Sequence, residues 1–136
     1  MWGNNLSIAG IDEAGRGALA GPVVAGACVI PCKVFRRRHS FMCWSPHQKI
    51  PANDHLIADS KALSPQQREY TFEWIQKHFF IGVGIAEADV IETQGILAAT
   101  LLAMHRALEE LQTKCSPLSL IVDGRDAFRF PLPHTS

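Results

Sequence analysis

Leu6-Ser7-Ile8-Ala9-Gly10-Ile11-Asp12-Glu13-Ala14-Gly15-Arg16-Gly17 begins as an apolar run and closes on two acids and a glycine-rich turn. Residues Leu6 to Ile11 read as a largely buried strand that ends at Asp12. Gly15, Gly17 and Gly21 punctuate the link to a second apolar run, Gly21 to Ile30, which is rich in Val and Ala and is closed by Pro31. Far along the chain the pattern recurs. Leu118 to Val122 is a short apolar strand that ends at Asp123-Gly124. Two apolar strands, each ending in an aspartate, set the fold problem. If they are parallel neighbours, their carboxyl ends share one edge of a sheet, where ligand sites of open α/β sheets lie.

Helical signals separate these strands. Ser64-Pro65-Gln66-Gln67 combines a capping serine, a proline suited to the first helical position and a glutamine that completes a capping box, predicting a helix to about Lys77. Phe79 to Ala86 reads as a strand, and Asp89-Val90-Ile91-Glu92 as another capping box. Leu97, Leu101, Met104, Leu108 and Leu111 recur at intervals of three and four, the apolar stripe of a packed helix. The expected class is therefore α/β. Residues 31–57, with Pro31, Pro46 and Pro51, show no periodicity and read as a long loop or insertion.

Composition bounds the function. The chain has 136 residues, enough for one domain with a real core, and 47% of them are hydrophobic. Thirteen basic residues balance thirteen acidic ones, so bulk charge gives no support for nucleic-acid binding. The local clusters Arg36-Arg37-Arg38 and Arg125 with Arg129 suit solvated loops as well as phosphate contacts. No apolar run approaches the roughly 18 residues of a membrane span. The N-terminus lacks a basic leader segment, so a cytoplasmic protein with no membrane partner is expected. The four cysteines are irregularly spaced and read as reduced thiols. Cys32, His39, Cys43 and His47 lack the close pair spacing of a structural zinc site.

Asp12, Glu13 and Asp123 are the candidate site. Carboxylates gathered at one sheet edge repel one another, and a divalent cation removes that penalty. Oxygen-only ligands favour a hard ion such as Mg2+ or Mn2+. Such a site suits phosphodiester hydrolysis, in which two ions about 4 Å apart clamp a scissile phosphate. Spacing alone also fits aspartates that merely cap turns or the following helix.

The phrase Gly10-Ile11-Asp12-Glu13-Ala14-Gly15-Arg16-Gly17-Ala18-Leu19-Ala20-Gly21-Pro22-Val23-Val24 resembles the N-terminal signature of the type 2 ribonucleases H (ribonuclease HII). Asp59-Ser60-Lys61-Ala62-Leu63-Ser64 resembles that family's second block. Gly95-Ile96 with Ala99-Thr100 and Ala103-Met104 resembles its long-helix block, and Val122-Asp123-Gly124 its third acidic strand. The blocks stand in the family's order and cover residues 6–30 and 58–124. The resemblance implies a ribonuclease H-like mixed β-sheet flanked by helices. It also implies an endonuclease that hydrolyses the RNA strand of RNA–DNA hybrids, and cuts at ribonucleotides embedded in DNA, using Mg2+ or Mn2+. Asp12, Glu13 and Asp123 match three of its four metal-binding acids. Gly15, Arg16 and Gly17 match a segment that senses the ribose 2′-OH, which distinguishes RNA from DNA. Ser60 and Lys61 match positions near substrate phosphate.

One departure matters. The family's fourth acid lies beyond a Gly-Asp-Ala block that this sequence does not contain. Asp126 is too close to Asp123 to match it, and Tyr70 is misplaced for the tyrosine that stacks under the junction sugar. The sequence therefore predicts a single ribonuclease H-like domain over 1–136 with its C-terminal part missing, monomeric and with little or no activity by itself. The alternative is a catalytically incomplete fragment that at most binds hybrid nucleic acid.

Overall fold

A computed structural model describes residues 8–17, 20–30, 58–117, 119–123 and 129–135. The loop expected over 31–57, the zinc-like Cys/His set, the 36–38 arginines, Arg125 and Asp126 lie outside the described residues. The chain divides into two compact units, one of Met1–Ile30 with Phe80–Ser136 and one of Pro31–Phe79.

In the first unit, β1 (Ile8–Ala14), β2 (Val23–Val29) and β3 (Phe80–Ala86) form an antiparallel meander. β4 (Ser119–Val122) pairs parallel to β1, and the short β5 (His134–Thr135) parallel to β4. The order is β3-β2-β1-β4-β5, so the expected mixed sheet is present. β1 corrects two expectations. It does not stop before Asp12: antiparallel pairing with β2 carries it on to Ala14, opposite Val24. Nor is it largely buried. Ala9 and Ile11 are buried while Ile8, Gly10 and Asp12 are exposed, because side chains alternate across a strand.

The core lies on one face of the sheet. Ala9, Ile11, Val23, Ala25, Ala27, Val29, Ala86, Leu120 and Val122 meet the helix α3 (Ile96–Gln112) there. The short α2 (Ala88–Gln94) precedes it, with Val90 and Ile91 packed on the core. α2 starts two residues earlier than the capping box predicts. Its N-cap is Glu87, without a side-chain cap bond, and Asp89 Oδ1 instead accepts the N–H of Val90 at 2.8 Å.

The stripe predicted for α3 is right from Met104 onward but misplaced at its start. Leu97 is 51% exposed, whereas Ala99, Thr100, Ala103, Met104, Ala107, Leu108 and Leu111 are buried. The reason is the intimacy of the α3–β3 contact. A Cβ on Gly82 would overlap the carbonyl oxygen of Ala107, and one on Gly84 that of Ala103. Two glycines facing alanines let helix backbone rest on strand backbone, so the buried stripe runs through small residues that a search for large apolar ones passes over.

His105 holds the returning chain. Its ring stacks on Phe130 with centroids 5.1 Å apart, and its Nε2 lies 3.2 Å from the carbonyl oxygen of Arg129, which places the proton on that nitrogen. The N–H of Leu120 donates to the Pro133 carbonyl at 2.8 Å.

In the second unit, α1 (Pro65–His78) begins at the predicted capping box. Ser64 Oγ accepts the Gln67 N–H at 3.3 Å, and Gln67 Oε1 accepts the Ser64 N–H at 2.8 Å. A 3-10 turn, Ser60–Ala62, precedes it, capped by Asp59 and tied to α1 by Arg68, which donates to the carbonyls of Ser60 and Leu63. Among the described residues no helix is long and apolar enough to cross a membrane.

Candidate active site

The register of β1 against β4 decides where the acids fall. Ile11 pairs with Val122, so the next positions on the two parallel strands are Asp12 and Asp123. The Asp123 N–H donates to the Ile11 carbonyl at 3.0 Å, extending the ladder to that position. Neighbouring strands lie about 4.8 Å apart, which makes the two aspartates direct neighbours at the carboxyl ends of β1 and β4. Alternation gives both the same face. Ile11 and Val122 are buried against the core, while Asp12 and Asp123 are exposed on the opposite side.

Glu13 follows the other phase of the strand. It falls on the core side of β1, its side chain is 13% exposed, and its Oε1 accepts from Arg16 Nη1 at 3.0 Å. Asp12 Oδ1 accepts the Glu13 N–H at 2.7 Å, which orients the carboxylate along the strand end. The pair Asp12–Asp123 is therefore brought together, with Glu13 adjacent in sequence but on the other face. Among the described residues, no three His, Cys, Asp or Glu side chains form a group that could hold a metal ion.

The turn after β1 is built by Gly15. It has φ +96°, and a Cβ there would come within 2.7 Å of the Pro22 carbonyl oxygen, so both conformation and space demand glycine. This turn sets Arg16 back over Glu13. Gly17 has open space around its Cα. Ser60 and Lys61 belong to the other unit, on the exposed 3-10 turn, where the Lys61 N–H donates to Asp59 Oδ1 at 3.0 Å.

Cys28 stands opposite Gly10 on β2 and shares the exposed phase of the sheet with Asp12. Burial, with Cys115 adding to it, pushes its thiol above the ordinary range, so it stays protonated at neutral pH and is a poor ligand. Both Cys28 and Cys115 are free thiols, as the composition suggests. A pair of adjacent aspartates presents only hard oxygen donors, a set that fits Mg2+ or Mn2+ and not a soft metal. No local sequence signal marks the Glu13–Arg16 pairing as favoured over a metal role; it follows from the strand phase and the Gly15 turn.

Comparison with known proteins bears on the family and the fold. The sequence profile of one family, Ribonuclease HII, matches residues 9–134. Ribonuclease HII of Desulfotalea psychrophila is 39% identical over 127 residues, which are 92% of this chain and 48% of that protein. The ribonuclease HII of Archaeoglobus fulgidus, solved in complex with PCNA, superposes with a TM-score of 0.59 at 23% identity, over 90% of this chain and 53% of that one. Bst ribonuclease HIII, solved with Mn2+, gives a TM-score of 0.60 at 19% identity, over 88% and 37% of the two chains. At such identities the structural likeness shows the fold. The chain spans about half the length of the curated relatives it matches.

Proposed function

The chain belongs to the ribonuclease HII family, and from that premise we propose that it carries the two-aspartate core of an endonuclease acting on RNA–DNA hybrids. The substrate is the RNA strand of such hybrids or a ribonucleotide embedded in DNA. The observation that carries the reading is the in-register placement of Asp12 beside Asp123 on one face of the sheet.

Asp12 and Asp123 would hold a divalent cation between them, Mg2+ or Mn2+, while Glu13 keeps Arg16 in place. When bound, such ions lower the pKa of a coordinated water and stabilise the departing oxygen of a phosphodiester. The rest falls to the protein. The Gly15 turn presents backbone without side-chain cover, allowing close approach of a ribose and its 2′-OH. Arg16, hydrogen-bonded to Glu13, supplies a fixed positive charge beside the phosphate path. Ser60 offers a hydroxyl and Lys61 a point charge, roles that rest on their block of sequence.

A second reading has its own support. Only two carboxylates are adjacent among the described residues, so metal affinity is low and the chain binds hybrid without cutting it. A hybrid-cleavage assay with Mg2+ titration, run on the parent chain and on Asp12→Asn and Asp123→Asn, separates the two. Mg2+-dependent nicking that falls more than about 100-fold in either variant supports hydrolysis, since loss of a metal ligand exceeds the effect of an outer-shell partner. Hybrid binding without nicking selects the second reading. Neither activity, in a chain folded by circular dichroism, overturns both.

A further inference from the structure

Among the described residues β3 is an outer strand of the sheet, and its composition, Phe80-Ile81-Gly82-Val83-Gly84-Ile85-Ala86, is uncharged, free of proline and rich in β-branched residues. An edge of this kind is a template for pairing with another strand. Within the antiparallel ladder with β2, the backbone groups of Ile81, Val83 and Ile85 share one direction, because orientation alternates residue by residue. Two side chains of α3, and Lys114 in the turn that follows it, meet them. Arg106 Nη1 donates to the Ile85 carbonyl at 2.5 Å, Glu110 Oε2 accepts the Val83 N–H at 2.7 Å, and Lys114 Nζ donates to the Ile81 carbonyl at 2.7 Å. Lys114 also binds Glu110 Oε1 at 2.6 Å, which ties the row together.

The match is one of periods. Positions 106 and 110 are about 6 Å apart along the helix, positions 85, 83 and 81 run along the strand by about 6.8 Å per step, and the turn after α3 carries Lys114 on to Ile81. The contact of α3 backbone with Gly82 and Gly84 brings the helix close enough for a side chain as short as glutamate to reach the strand edge. The lysine and the Val83 N–H hold the Glu110 carboxyl below the usual range, so it is a charged acceptor at neutral pH.

We propose that Arg106, Glu110 and Lys114 act as a surrogate neighbour strand that closes β3 against a second copy of this chain, which would otherwise add its own β3 edge to edge. The inference is independent of the nuclease reading. The ladder keeps the chain monomeric through this edge, and its removal exposes a pairing surface specific for strand addition.

The test is sedimentation velocity on the full chain and on R106A/E110A/K114A across a concentration series. The triple variant is expected to self-associate with an apparent Kd at least tenfold lower than the parent. Adding Val83→Pro, which removes the outward N–H, restores the parent value, whereas adding Val83→Ala, which trims the same side chain but keeps the N–H, does not. Unchanged association in a folded triple variant, or association that both Val83 substitutions reverse alike, overturns the proposal. If the triple variant fails to fold, amide exchange on Glu110→Ala decides. Val83 should lose at least tenfold protection while Gly84, bonded inward to β2, keeps it; unchanged Val83 protection overturns the proposal.

Discussion

Two groups of charged side chains on this sheet differ in sign pattern. Along the β3 edge, Arg106, Glu110 and Lys114 alternate in charge and each meets a backbone group or another side chain. At the carboxyl ends of β1 and β4, two aspartates of like charge stand side by side. The first arrangement lowers electrostatic energy within the protein itself. The second sets two acids where an added cation could be shared. Both aspartates are exposed, so the sheet gains little from keeping them adjacent. The like-charged pair set side by side by backbone register supports the proposed cation site, and the alternating row supports the structure.

The largest expected effect lies where α3 rests on β3. Gly84→Val drives a branched side chain into the backbone of α3 at Ala103. Overpacking against backbone is expected to lower unfolding free energy by about 3 kcal/mol or more, read from urea denaturation, because neither partner can rotate aside. A loss under about 1 kcal/mol would mean that helix and strand are not in the contact described.

A smaller effect sharpens the structural side. The Glu110 carboxyl is held low in the folded state by its Lys114 and Val83 hydrogen bonds. A lowered carboxyl contributes stability above its unfolded value, about 4.3, and loses it as pH falls through the folded value. Thermal melts of the parent and of Glu110→Gln should thus differ most near neutral pH and converge on acidification. The gap should also shrink in high salt, since the group is exposed. A gap that widens in acid would contradict the ladder.

Much of this was legible in the residues. Apolar runs located the strands, and Ser64-Pro65-Gln66-Gln67 located α1 to its cap, because both signals are local. Asp12 and Asp123 stood out as strand-terminal acids. What could not be read is register and phase. The two-residue face alternation that puts Glu13 on the other side from Asp12 depends on β1 continuing to Ala14, and that continuation comes from pairing with β2, not from β1 itself. The α3 stripe departs from its sequence pattern at Leu97 because the contact is set by Gly82 and Gly84, distant in sequence. β5 has two residues between proline and the chain's last residue, with no periodic signal to show. Arg106 and Glu110, with Lys114 just past the helix end, read as ordinary solvated charges until the period of β3 is laid beside them.

The proposed function requires Asp12 and Asp123 to share one cation. Titrating Mn2+ into 15N-labelled chain and following paramagnetic broadening of the amide resonances tests this directly. The prediction is that Asp12 and Asp123 broaden together at the same low Mn2+ ratio, while Glu110 and Lys114 stay sharp, and that Asp123→Asn abolishes the broadening at Asp12. Broadening at one aspartate without the other, or first broadening at the β3 edge, would contradict it.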